Sequence, residues 1–388
     1  MWDTKAALVP VVPWSITRIR PSPRLIALNP VAAYDNSLIR GTRRVLMEIG
    51  HFKWLRSHTA RYNLSSSGVM PITLGELVKL GQPGNIIDEL TSTYTIDKVN
   101  IALTHGTQEG NFAALSALRE LGIDRVVTVV PEYEPIRALP RFLGLRHIEV
   151  EVHETLLEVI NHIEPGAVLL LSNPNNPTGL FLDRKLLWEL SDSLRRRNAY
   201  AVLDSIFIEF VEEDLRQLPL ENVVYTFSTS KFYTMSELKV GWVIGDEAII
   251  KGINGIIDLV SPLVLELDLG YASILIRSRK WVRERNLGII RPNVEVMRRL
   301  IDALSGGVKV YYTEYMPIFY MRVDCRGLTG TSLAEGLLAR DVFVVPGHYF
   351  GRDDGIRVGL GSVKPETFEI AMKTIVNVVN SECSSKHH

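Results

Sequence analysis

Short apolar runs alternate with amphipathic stretches through the middle of the chain, and that alternation limits the folds open to it. The runs are "VNIALT", "RVVTVV", "AVLLLS", "AYAVLD", "VVYTFS" and "VGWVIG". Between them lie "TQEGNFAALSALRELG", with Phe112, Leu115 and Leu118 at helical spacing, and "DRKLLWELSDSLRRRN". Apolar strands separated by helices predict an α/β fold, a mainly parallel sheet covered by helices on both faces. Function in such sheets collects at the carboxyl ends of the strands. Residues 1 to about 35 are rich in proline and predict an extended arm. Leu38 to Arg61 carry an uneven helical stripe through Leu46, Ile49, Phe52, Trp54 and Leu55. After about Ser278 a long helix, then "VKVYY", "PIFYMRVD", "VFVVPG" and "GIRVGLG" with helices between, predict a smaller α+β domain. The expected division is a large domain over 63–278, with 1–62 and 279–388 forming the arm, its helix and the small domain.

Composition excludes several classes of function. The net charge of −1 over 388 residues supplies no field for nucleic acid or an acidic membrane. The longest apolar candidate, "IIKGINGIIDLVSPLVLELDLG", is broken by Lys251, Asp258, Pro262 and Glu266, short of the roughly 18 to 20 apolar residues of a membrane helix. Two cysteines, Cys325 and Cys383, argue against a disulfide scaffold. With no signal-peptide pattern at the N-terminus, they predict a reducing cytoplasm. Arginine outnumbers lysine and glutamine occurs only at 82, 108 and 217, a pattern compatible with a hot-living source. No metal site is predicted, and the closing Lys386–His388 reads as the remnant of a tag.

The chemistry-bearing residues sit where strands end. In "ALTHGTQEG" Gly106 permits a tight turn and Thr107 and Gln108 open a helix. The segment is either a plain turn or an anion site made of free backbone amides. Tyr133 in "VVPEYEP" is either a packing residue or a ring that stacks on a ligand. "LLLSNPNNPTG" is a constrained turn that could hold Asn176 against a ligand. Asp204 closes "AYAVLD", where a carboxylate needs a cation or serves as a helix cap. In "YTFSTSKFYTMSELKVGWVIG", Lys231 lies among hydroxyls with Lys239 eight positions on. Lys231 beside apolar strands suits an amine of lowered pKa, and Ser228, Ser230 and Lys239 suit a phosphate. Phosphate ligands, a stacking ring, a buried acid and a free amine form the inventory of one cofactor, pyridoxal phosphate, whose protonated ring is an electron sink.

From about residue 60 onward the chain resembles the class I/II aminotransferases, the aspartate-aminotransferase-like branch of fold-type-I pyridoxal-phosphate enzymes. "NPNNPTG" and "STSK" with a basic residue eight positions later carry the resemblance, supported by "DVFVVPGHYFG" and "GIRVGLG". It implies that Lys231 binds the cofactor as an imine and then shuttles the α-proton, and that Asp204 partners the pyridine nitrogen. It implies further that Asn176 bonds the phenolic oxygen and that Tyr133 stacks on the ring. Gly106, Thr107, Gln108, Ser228, Ser230 and Lys239 would hold the phosphate, and Arg357 would clamp the substrate carboxylate. A homodimer with sites at the subunit interface is implied too.

Three departures stand out. Phe207 replaces the usual tyrosine three residues after the aspartate, which removes a donor to the phenolic oxygen and predicts a raised imine pKa. Lys239 replaces the usual arginine. No tyrosine occupies the stretch Leu80 to Gly84, which puts the family's cross-subunit phosphate contact in doubt. "HFKWLRSHTARYNLSSSGVMP" is similar to a helix and Ser-Ser-Gly segment of amino-acid-cyclising relatives, and it puts Ser67 and Gly68 near substrate through their backbone. Tyr34, Tyr349 and Phe350 are candidates for the pocket wall or for the core. The leading reading is transfer of an amino group from an L-amino acid to a 2-oxo acid. The alternative is elimination, replacement, cyclisation or decarboxylation with the same cofactor. A non-catalytic DNA-binding regulator is disfavoured, because the first 60 or so residues hold no convincing helix-turn-helix.

Overall fold

The computed structural model describes residues 47–304 and 307–385. The Pro-rich arm, Tyr34 and Lys386–His388 lie outside the described residues, as does the expected helix before residue 47. From Glu48 onward the chain forms one compact unit. It opens with α1 (Gly50–Ser57), β1 (Tyr62–Asn63), α2 (Leu74–Leu77) and α3 (Ile86–Tyr94). The central part runs β2 (Ile101–Thr104), α4 (Thr107–Glu120), β3 (Arg125–Val130), α5 (Glu134–Phe142), β4 (Arg146–Glu151) and β5 (Ala167–Ser172). It continues with α6 (Arg184–Arg197), β6 (Tyr200–Asp204), α7 (Ile208–Val211), β7 (Val223–Ser228) and β8 (Gly241–Ile244). Three helices follow: α8 (Glu247–Val260), α9 (Glu266–Arg277) and α10 (Arg279–Ile301). The last part is β9 (Val308–Tyr312), β10 (Ile318–Val323), α11 (Gly330–Leu338), β11 (Val342–Phe343), β12 (Val345–Pro346), β13 (Gly355–Gly359) and α12 (Pro365–Ser385).

The large sheet has the order β2-β8-β7-β6-β5-β3-β4. Successive side chains leave a strand on opposite faces, so each strand feeds two cores. Val126, Val168, Val202, Val224 and Val243 pack under α4 and α8. Their neighbours Val127, Leu169, Ala201, Leu203, Val223 and Trp242 pack on the other face with Leu187, Leu190 and Leu194 of α6. That two-sided burial explains why β5, β6 and β7 read as unbroken apolar runs. Every pairing from β7 to β4 is parallel, while β8 runs antiparallel to both β7 and β2. The strands β2, β3, β5, β6 and β7 therefore end on one edge of the sheet.

Some elements depart from expectation. α1 begins at Gly50 and stops at Ser57, well inside the predicted helical stretch. β4 gave no signal because it is an edge strand whose residues, Val150 apart, face solvent or are only half-buried. α4 buries Gly110, Asn111, Ala114, Leu115 and Leu118, while Phe112 is only half-buried. Small residues on that face let the helix lie close to the sheet. The apolar stretch after residue 249 folds as α8 and α9, separated by Ser261 to Leu265. Among the described residues no helix is long and apolar enough to cross a membrane.

A second sheet, β12-β13-β10-β9, is antiparallel throughout and packs with α10, α11 and α12. The parallel pair β1–β11 ties the segment that follows β1 to this sheet: Leu64 N donates to Phe343 O at 2.8 Å and Gly359 N to Leu64 O at 2.7 Å. Ser65–Ser67 are thereby set beside Arg357 of β13.

The cysteines correct one expectation. Cys325, just after β10, and Cys383, near the end of α12, are joined as a disulfide across 58 residues, with their Cα atoms 5.3 Å apart. Sequence separation hid the pair, because the contact exists only once α12 packs back on the second sheet. Closing a loop of this length stabilises the fold by about 4 kcal/mol in the chain-entropy account. Reduction, or Cys325→Ala with Cys383→Ala, is expected to lower the urea midpoint by a corresponding amount. An unmoved midpoint in dithiothreitol would show that the bridge adds nothing.

Candidate active site

The carboxyl ends of β2, β3, β5, β6 and β7 converge on a cavity of about 430 Å³. Its wall contains Gly106, Thr107, Gln108, Tyr133, Asn176, Asp204, Ser228, Ser230, Lys231, Lys239 and Arg357, brought together from all five strand ends and from β13. Gly68 does not line the cavity itself but stands beside Lys231: a Cβ added to it would lie 4.0 Å from Lys231 Cδ. The Gly68 N–H donates to Ser66 Oγ at 3.1 Å, and Ser65, Ser66 and Ser67 line the wall instead. Tyr349 and Phe350 also stay behind the wall. Phe350 is buried, and the Arg357 guanidinium lies 5.2 Å from its ring centroid.

Lys231 follows β7 and is half-buried. Burial lowers its amine to about 8, helped by the charges of Arg357 and Lys239 and opposed by Asp204. Relative to an ordinary lysine at 10.5, the neutral fraction near pH 7 rises roughly 300-fold. Among the described residues its Nζ makes no hydrogen bond, so the amine is available as a nucleophile.

Asp204 ends β6 and is buried. Burial raises its carboxyl to about 6 against the pull of Asn111, the Ile206 N–H and Lys231. Asn111 Nδ2 donates to Oδ2 at 2.9 Å and Ile206 N to Oδ1 at 3.2 Å. Thr226 Oγ1 donates to Asn111 Oδ1 at 2.7 Å, which orients the amide. Each Asp204 oxygen keeps acceptor capacity toward the cavity, where a cation would complete it. Asn111 was not singled out in the sequence. Its signal was a polar residue one turn after Thr107, on the face of α4 that meets the sheet.

One end of the cavity suits a phosphate. α4 begins at Thr107, preceded by Gly106 with φ +87° and no side-chain cap, leaving its first amides unpaired within the helix. A Cβ at Gly241 would lie 2.6 Å from Gly106 Cα, so only glycine lets β8 approach this turn. Ser228 Oγ and Ser230 Oγ are 2.8 Å apart and bond one another, and Lys239 supplies a cation from a left-handed backbone at φ 54°. An unpaired helix N-terminus, two hydroxyls and an ammonium fit a phosphate dianion.

The other end suits a carboxylate. Arg357 is buried in the wall. Its Nη1 donates to Asn176 Oδ1 at 3.0 Å and its Nη2 to Ser65 O at 2.8 Å, while Nε is buried without a partner. Burial lowers its pKa to about 10, which still leaves it charged near neutrality. An unpaired charged donor in a cavity wall is costly until an anion arrives. Asn176 accepts from Arg357 through Oδ1, which leaves Nδ2 as a donor. Tyr133 is half-buried, and burial pushes its phenol well above the ordinary value, so it remains neutral. Phe207 is buried and lines the wall without a hydroxyl.

His51 on α1 joins the wall and was not anticipated; nothing in its local sequence marks it. It is 2% exposed, its ring stands edge-on to Tyr133 at 5.4 Å, and Nδ1 has no partner. Glu134 carboxylate oxygens take the N–H groups of Gly50 at 3.0 Å and His51 at 2.6 Å, which pins the start of the helix. Burial, with the charges of Arg357 and Lys231, lowers the imidazole from 6.5 to about 2. Above pH 6.5 neither the folded nor the unfolded chain protonates it. Below 6.5 the unfolded chain takes up a proton that the folded one refuses, so stability falls with pH, by roughly 3 kcal/mol at pH 4.5. His51→Phe is expected to flatten the acid limb of the stability curve between pH 6.5 and 4.5. An unchanged slope would mean that His51 protonates in place.

Residues 86–375 match the model of the family described as aminotransferase class I and II. An aspartate aminotransferase of Pyrococcus horikoshii is 24% identical over 307 residues, covering 74% of this chain and 77% of its own. A capreomycidine synthase of Streptomyces vinaceus is 26% identical over 357 residues, covering 81% of this chain and 89% of its own. The crystal structure of a PLP-dependent aminotransferase from Streptococcus suis superposes with a TM-score of 0.76 at 21% identity, covering 87% of this chain and 98% of that one.

Proposed function

The chain belongs to the class I and II aminotransferases, and from that premise we propose that Lys231, Asp204, Asn176, Tyr133 and Arg357 move an amino group from an L-amino acid to a 2-oxo acid. The enzyme is pyridoxal-phosphate-dependent. One observation carries the residue assignment: an amine lowered to about 8, a buried acid and an arginine with an unpartnered Nε share one cavity. Bound there, pyridoxal phosphate supplies an aldehyde carbon for an amine and an electron-poor ring that makes a substrate α C–H acidic. Gly106, Thr107, Gln108, Ser228, Ser230 and Lys239 would hold its phosphate. Tyr133 would cover the ring face, Asn176 Nδ2 would donate to the phenolic oxygen, and Asp204 would keep a proton on the ring nitrogen. Arg357 receives the substrate carboxylate on Nε, with Ser65 and Asn176 fixing the fork. Lys231 Nζ is the amine that would hold the aldehyde carbon, and when free it would take the proton from the substrate α-carbon, a role suited to an amine titrating near neutrality.

We read 63–278 as the cofactor-binding domain and 1–62 with 279–388 as the smaller one, so that Lys231 and Arg357 come from opposite sides of the cavity. We also infer a homodimer. Leu259, Val260, Leu263, Leu265 and Leu267 are 55–82% exposed along one segment, and Leu74 of α2 and Val78 just after it are exposed as well. Ser261 Oγ lies 3.3 Å from His105 Nδ1, next to the phosphate turn, so a partner covering this segment would sit close to the site. Sedimentation as a monomer would remove that part. For compartment we infer the cytoplasm, where the Cys325–Cys383 bridge fits a hot-growing source.

Borohydride reduction of the loaded protein, followed by peptide mapping, tests the assignment. The label is expected on the peptide containing Lys231, and its absence there refutes the reading. A second reading, another reaction of an amino acid on the same cofactor, is favoured by the match to capreomycidine synthase, which spans more of this chain than the aspartate aminotransferase match does. Amino acids supplied without a 2-oxo acid separate the two. Transamination yields at most one equivalent of 2-oxo acid and no ammonia, whereas elimination turns over repeatedly.

A further inference from the structure

Glu132 is fully buried, and among the described residues no cation stands against it. Four donors converge on its carboxyl. Ser172 N at 2.8 Å and Asn175 Nδ2 at 3.2 Å reach Oε2, while Ser172 Oγ at 2.6 Å and Tyr133 N at 2.7 Å reach Oε1. These donors belong to the turn after β3, the end of β5 and the loop that follows it. The network continues outward: Asn176 N donates to Ser172 Oγ at 2.9 Å, and Asn176 Oδ1 receives Arg357 Nη1. One carboxyl thus joins the backbone of the stacking tyrosine to the loop that presents Asn176 and steadies Arg357.

A carboxyl in this place works against its own burial. Desolvation raises its pKa, reinforced by the nearby charge of Asp204, while the hydrogen bonds of Ser172 and Tyr133 lower it. With four donors aimed at its two oxygens neither is left to carry a proton, so the geometry requires the carboxylate. Two oxygens that only accept can take four donors. An amide offers one acceptor oxygen and would turn its NH₂ toward two of them. The acid is therefore matched to the donors rather than tolerated by them.

We propose that Glu132 is a positioning residue of this site, whose carboxylate sets the spacing between the Tyr133 ring and the Asn176 amide and so fixes the orientation of the ring bound between them. The proposal rests on the cofactor assignment above. Glu132→Gln leaves two buried donors unpaired, which weakens pyridoxal phosphate binding on the order of tenfold or more. It also alters the circular-dichroism band of the bound cofactor in the visible region. Ser172→Ala, which cuts only one spoke and the link to Asn176, produces a smaller change of the same kind. The double variant falls short of the product of the two, because both break one network.

Binding of pyridoxal phosphate and the visible dichroism are measured for wild type and the three variants, beside thermal unfolding of each. A lower melting temperature with an unmoved binding constant and band would make Glu132 merely structural and overturn the proposal, as would effects that simply multiply. If Glu132→Gln does not fold, Ser172→Ala decides, and an unchanged band sinks the idea. Failure of wild type itself to be labelled at Lys231 would overturn the cofactor assignment, and the proposal with it. Normal labelling with indifferent variants would overturn the proposal alone.

Discussion

Lys231→Ala is expected to lower the rate of amino-group transfer by a factor on the order of 10⁴ or more, and to abolish borohydride labelling of the protein. The size follows from the double use of one atom. On the proposed assignment Nζ both fixes the aldehyde carbon and moves the α-proton, and residues acting as nucleophile and base cost about that much when removed. Among the described residues no other lysine lines the cavity except Lys239, which lies among the residues assigned to the phosphate. Lys231→Arg separates charge from reactivity. Arginine keeps a cation near Asp204 but stays protonated at every working pH, so it can neither attack a carbonyl nor accept a proton. It is expected to be as inactive as alanine. Pyridoxal phosphate should still bind both variants through the phosphate groups, with its visible spectrum close to that of the free aldehyde. Substantial transfer by either variant would remove Lys231 from its assigned role.

Arg357→Ala is expected to reduce kcat/KM by roughly 10² to 10³, about 3 to 4 kcal/mol, chiefly through KM. Truncating one member of a buried, hydrogen-bonded charge pair has a cost in this range. Part of it is the loss of donors to Asn176 Oδ1 and Ser65 O, so a modest change in the cofactor spectrum should accompany it. Arg357→Lys retains the charge without the planar fork and should fall between alanine and wild type. Amines that lack a carboxylate provide the control, since their slow reaction should hardly respond to either substitution. If alanine at 357 leaves kcat/KM unchanged for every amino acid tested, the carboxylate binds elsewhere.

The parts of the site that were legible beforehand share a property. Gly106 in a turn, Asn176 in a double Asn-Pro loop, Asp204 closing an apolar strand and Lys231 among serines are each written into a few adjacent residues. Their local setting announces a strand end, and strand ends of a parallel sheet meet on one edge. Asn111, Glu132 and His51 were not legible. Asn111 sits inside a helical pattern, Glu132 between Pro131 and Tyr133, and His51 beside an apolar stripe, and none has its partner nearby in sequence. Each gains its meaning from a group far along the chain: Asp204 and Thr226 for Asn111, Ser172 and Asn175 for Glu132, Tyr133 for His51. The same distance concealed the disulfide, where composition argued for separate thiols and packing of α12 joined Cys325 to Cys383.

Residue order alone determined the alternation of strand and helix, and with it the sheet, its reactive edge and the chemical inventory along that edge. Those follow from periodicity and from short motifs, which act over a few residues. Tertiary structure alone decided how far each acid and base departs from its ordinary pKa, which donors complete Glu132 and Asp204, and that a segment near residue 65 closes over Arg357. Desolvation and hydrogen bonding depend on every atom within a few ångströms, and most of those atoms come from residues remote in the chain.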